Sequence, residues 1–82
     1  MTVDAIKATL LPEGKSFYDM GMMFAAGREC EYDLVAAHCW FNIAAARGER
    51  EAAIRRAELA AEMSTDEIAT AQRAAREWLS IH

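Results

Sequence analysis

Apolar residues recur at steps of three and four along nearly the whole chain, and each run stops at a glycine, a proline or a capping polar residue. Val3, Ile6 and Leu10 keep helical spacing after Thr2, and Pro12 disfavours helical geometry at Leu11, so the pattern predicts a short helix over 3–11. From about 13 to 26, Phe17, Met20, Gly21 and Phe24 share one side of a helical wheel, and Gly27 suits the left-handed position beyond a helix end. Asp33 is placed to cap a helix over 33–47 that Gly48 stops. That helix is apolar nearly all round: Leu34, Ala37, Trp40, Phe41, Ala44 and Ala45 form its main face, and Val35, Cys39, Ile43 and Ala46 form a second. A helix of this kind is either sandwiched between neighbours or exposes a sticky surface.

A further helix is predicted over 50–63, with Ala52, Leu59, Ala60 and Met63 on one side. Glu51, Arg55, Glu58 and Glu62 mark the other side as solvated. Ser64 to Glu67 forms a capping box, in which hydroxyl and carboxylate each satisfy the other residue's backbone amide. The helix it opens, over 65–79, turns Ile68, Ala71, Ala75, Trp78 and Leu79 inward and is expected to fray at Ser80. Every connection is short, which predicts antiparallel hairpins between consecutive helices.

Composition narrows the class without changing it. The 82 residues suit one small domain, 1–82, near the size where a single core is only marginally stabilising. The chain is 54% hydrophobic, but 18 residues are alanine, which forms helix and buries little; an all-β fold is disfavoured. A net charge of −4 with scattered basic residues removes the electrostatic basis for nucleic-acid binding. No stretch is long and apolar enough to insert in a membrane. The stretch from Met1 to Leu11 lacks the basic start and apolar run of an export signal, and Cys30 and Cys39 then read as reduced thiols, so a cytoplasmic location is expected.

One segment is recognisable. Met20-Gly21-x-x-Phe24-x-x-Gly27, followed by Asp33-x-x-x-Ala37-x-x-Trp40-Phe41-x-x-Ala44-Ala45-x-x-Gly48-x-x-x-Ala52, resembles the Sel-one-like repeat, a relative of the tetratricopeptide repeat that folds as a helix hairpin. The resemblance covers roughly 16–52 and implies an all-α fold of antiparallel hairpins stacked as a short tetratricopeptide-like solenoid. In it, 1–12 is an N-terminal helical segment, 13–52 the repeat, and 53–82 a closing helix pair without the repeat signature. Small residues at Gly21, Ala37, Ala44 and Ala45 suit close helix approach, with Phe24, Trp40 and Phe41 filling the wedge. Trp40 is expected against Ala37 and Ala44, and Phe41 near Phe24. Where such repeats carry a second glycine this chain has Glu29, and where they carry a small β-branched residue it has Cys30. A non-glycine residue resists positive φ, so a different loop conformation is expected there.

Candidate chemistry is thin. Cys30, His38, Cys39 and His82 have no convergent metal-ligand spacing, so no metal, cofactor or disulfide is expected. No acid, base or nucleophile constellation and no glycine-rich phosphate loop stands out, so no enzymatic activity is expected. Cys30, beside Arg28, reads either as a loop residue filling an aliphatic position or as a reactive thiol with a lowered pKa. Arg56 falls inside an apolar arc; it either snorkels to water or forms a buried fork with a carboxylate such as Asp33 or Glu67, or with a partner. Tyr18, Met22 and Met23 face away from the Phe17, Met20 and Phe24 side, as core under the N-terminal helix or as adaptable binding surface.

The function expected is recognition: a protein-interaction module or adaptor, of the kind the resemblance implies in bacterial regulatory or assembly processes. Tyr18, Met22, Met23, Val35, Cys39, Ile43 and Arg56 are its candidate contact residues. The partner is a protein, and the second apolar face of the 33–47 helix, with the Val3, Ile6 and Leu10 segment, predicts a homodimer as well. A cysteine-based redox or metal-responsive regulator is the alternative.

Overall fold

The computed structural model describes residues 16–82. The helix expected over 3–11, and the expected helix start at 13, lie outside the described residues. Those described form four helices and no strand: α1 (Phe17–Ala26), α2 (Leu34–Ala46), α3 (Arg50–Ala60) and α4 (Thr65–Ile81).

Each start has a local cause. Ser16, in extended backbone, caps α1: its Oγ accepts from the Asp19 amide and the Asp19 carboxylate accepts from the Ser16 amide, both at 3.0 Å. This second capping box, absent from the sequence reading, is why Ser16 itself is not helical. Asp33 caps α2 as expected, its carboxylate accepting from the Ala36 amide at 3.0 Å. The Ser64 and Glu67 box opens α4, with bonds of 3.1 and 2.9 Å. That helix does not fray at Ser80; it runs on to Ile81, with the Ser80 hydroxyl donating to the Glu77 carbonyl. At the other ends, Gly27 takes φ +69° beyond α1 and Gly48 takes φ +99° beyond α2.

The turn between α1 and α2 corrects one expectation. Glu29 does adopt a left-handed conformation, φ +62°. The Arg28 amide donates to the Met23 carbonyl and the Asp33 amide to the Phe24 carbonyl, so the chain must reverse within a few residues. Glu29 accepts a conformation that costs a non-glycine residue about 1–2 kcal/mol, and does so at an exposed position.

Packing corrects another. Consecutive helices are not all paired: α2 packs against α1, α3 and α4, whereas α3 and α4 barely touch. The all-round apolar helix is therefore sandwiched, and the closing pair is two separate braces on α2. Two buried clusters lie on opposite flanks of α2. Cys39, Trp40 and Ile43 pack with Met20, Ala71, Ala74, Ala75 and Trp78. Ala37, Phe41 and Ala44 pack with Ala52. Trp40 and Phe41 are each 1% exposed. Phe24 packs against the Phe41 cluster as expected, but Ala37 and Ala44 belong to that cluster too, and Trp40 turns instead toward α4. Phe17 stacks on Trp40 at 5.9 Å and 13° and meets Trp78 edge-on at 5.1 Å and 77°, tying α1 to both helices. Arg47, at the end of α2, lies over the Phe17 and Trp78 rings at 5.9 and 5.6 Å.

Candidate interaction groove

Because α1 and α3 both lean on α2 without packing closely on each other, a groove of about 300 Å³ opens between them. Its floor is the Phe41 ring, its α1 wall is Met22 and Ala25, and its α3 wall is Leu59. Arg55, Glu58 and Glu62 stand along the α3 side. Position follows from sequence: Phe41 sits on the α2 flank away from Trp40's cluster, and Leu59 follows Arg55 by one helical turn, which puts an apolar and a charged residue on the same wall.

Arg55 is held by several acceptors. Its Nε donates to the Tyr18 hydroxyl at 3.3 Å, Nη1 to Glu58 at 3.3 Å, and Glu51 lies at 3.7 Å. Tyr18, then Glu58, shift its pKa further up from the ordinary arginine value. The Tyr18 ring tilts against Phe41 at 5.6 Å, so the groove floor and the Arg55 clasp share one residue.

The candidate contact residues therefore separate. Met22 lines the groove and Tyr18 supports it. Met23, its chain neighbour, packs toward the Trp40 and Trp78 cluster. Val35 is half-buried against that same cluster. Cys39 and Ile43 have no exposed surface at all, because α4 covers the middle of the second apolar face of α2, so neither can meet a partner; at the ends of that face Val35 is half-buried and Ala46 exposed. Arg56 is half-buried and donates from Nη1 to the Asn42 amide oxygen at 2.7 Å, linking α3 to α2, a single bond to a neutral acceptor where a carboxylate fork was the sharper expectation.

The sequence places Leu59 on the apolar side of α3 and Arg55 on its solvated face, and the Arg55 side chain is 42% exposed; what the sequence gives no sign of is the bond from Arg55 to Tyr18 and the groove beside it.

Chemistry elsewhere is quiet. The buried Cys39 thiol is pushed up to about 12. Cys30 is also raised, by desolvation and by the nearby Glu29 and Asp33, which corrects the reactive-thiol reading of a lowered pKa. His38 is buried, its Nδ1 lacks a hydrogen-bond partner, and burial with the Arg56 charge lowers its pKa. Among the described residues no group of three or more His, Cys, Asp or Glu side chains is arranged to hold a metal ion, and no helix is long and apolar enough to cross a membrane.

Compared with known protein families, curated proteins and solved structures, the chain matches none.

Proposed function

We propose that this protein is a protein-interaction module, an adaptor that works by recognition without chemistry, and that a partner segment docks in the groove between α1 and α3. The observation that carries the reading is the groove itself: half-buried apolar walls from Met22 and Leu59 above the covered Phe41 ring, flanked by charged side chains. The order apolar centre and polar rim is that of an interface. The resemblance of 16–52 to a Sel-one-like repeat supports the same reading, since helix hairpins of that class assemble partners, and a bacterial cytoplasmic regulatory or assembly role accords with it. The thiols add no support for a redox regulator, since burial and neighbouring carboxylates hold them in the neutral form.

The test is capture of cellular proteins by the intact chain and by its Met22→Asp and Leu59→Asp variants, with helical content followed by circular dichroism. A specific partner retained by the parent and lost by both folded variants supports the groove. A partner retained equally by all three defeats it.

A further inference from the structure

Resting on that interaction reading, we infer that the groove is built for a basic amphipathic helix, one with lysine or arginine beside a row of aliphatic residues. Three features converge. The groove is walled by the C-terminal half of α1, through Met22 and Ala25, and by the C-terminal half of α3, through Leu59. A helix C-terminus carries the negative end of the backbone dipole, and neither α1 nor α3 has a basic residue in its last turn to offset it.

The side-chain charges point the same way. Along the α3 wall, Glu58 and Glu62 line the groove with Arg55, the one cation among the described lining residues, and Glu51 lies on Arg55 one turn back. That guanidinium is already shared between Glu51 and Glu58 and turned toward Tyr18, and Glu62 makes no ion pair among the described residues. Carboxylates at the end of α3 are disfavoured by their own helix, so a cation brought by a partner meets a surplus of negative charge which the described residues do not neutralise. The apolar walls then set what lies between the cations. Met22 and Leu59, both half-buried, offer apolar contact for a partner's aliphatic row above the covered Phe41 ring, and the flexible Met22 adapts to its shape.

The test uses the full chain and two synthetic helical peptides with one leucine row in common, one flanked by lysine and the other by glutamate, with binding followed by calorimetry. The lysine peptide is expected to bind at least about tenfold more tightly, with the difference shrinking as salt rises. In a Glu58→Gln, Glu62→Gln variant, whose altered side chains are both exposed, the lysine peptide is expected to fall to the level of the glutamate peptide. Equal binding of both peptides overturns the basic-partner inference and leaves the groove as an apolar site. Binding of neither peptide to the parent, nor to a Val3→Asp, Ile6→Asp variant, overturns the groove reading as well. Binding that emerges only in that last variant assigns the groove to the chain's own N-terminal segment and overturns a foreign partner. Light scattering that shows a dimer dissociated by Glu58→Gln and Glu62→Gln assigns it to a second copy and overturns it equally.

Discussion

A side chain on Gly21 would stand 2.5 Å from the Phe41 ring, so α1 and α2 approach to a distance that only glycine permits. Phe41 is fully buried and cannot swing aside. Gly21→Ala therefore costs about 1–3 kcal/mol in overpacking and recovers only about 1 kcal/mol in helix propensity. Urea titration should show a net loss in the Phe41 parent and a smaller loss in a Phe41→Leu background, where the ring edge is gone. An equal loss in both backgrounds refutes the contact.

The aromatic set of Phe17, Trp40 and Trp78 joins three helices, with Trp40 and Trp78 also in edge contact at 6.2 Å and 64°. Trp78→Ala and Trp40→Ala should each lower stability by about 3–5 kcal/mol, enough to unfold much of so small a domain. A Trp78→Phe substitution should retain most of the packing. If thermal melts of Trp78→Ala match the parent, α4 does not close the core.

His38 makes stability fall in acid. Its folded pKa lies below the ordinary 6.5, so the unfolded chain takes up the proton first. The neutral-ring contribution is complete above about pH 6.5 and is lost as pH drops through the interval down to the folded pKa. Comparing urea midpoints for the parent and His38→Leu from neutral to acid pH isolates the effect: the parent should lose stability faster. Parallel curves would show that His38 titrates alike in both states.

The two thiols should separate in rate. Cys30 is partly exposed in the α1 to α2 loop and reacts first with a disulfide reagent, more slowly than a free thiol because its pKa is raised. Cys39 reacts only on global unfolding. Its folded pKa of about 12 against an ordinary 9.0 also means that its share of stability holds below pH 9 and is lost as pH rises from 9 toward 12. Simultaneous labelling of both thiols under native conditions would contradict the burial of α2.

Legibility followed the range of the interactions. Caps and glycine stops act within a few residues, and Asp33, Ser64, Gly27 and Gly48 were all readable for that reason. The burial of Trp40 and Phe41 was also readable, because a helix apolar all round must be enclosed. What the pattern could not reveal was which helix encloses which face. Periodicity states that Cys39 and Ile43 need cover; it is silent on whether α4 or a second molecule supplies it. The groove lay further out of reach. Arg55 carries every mark of a solvated residue until Tyr18, 37 residues earlier in the chain, is brought beside it.

The central position of α2 bears on the order in which the protein is made. Cys39 and Ile43 leave the ribosome before Ala71, Ala74 and Trp78, the residues that cover them, have been synthesised. At about 5–20 residues per second the 35 positions from Ile43 to Trp78 take roughly two to seven seconds, during which α1 and α2 can associate with one flank of α2 still bare. The core is thus completed only when α4 emerges, and until then the nascent chain presents a greasy surface to chaperones and to its neighbours on the same message.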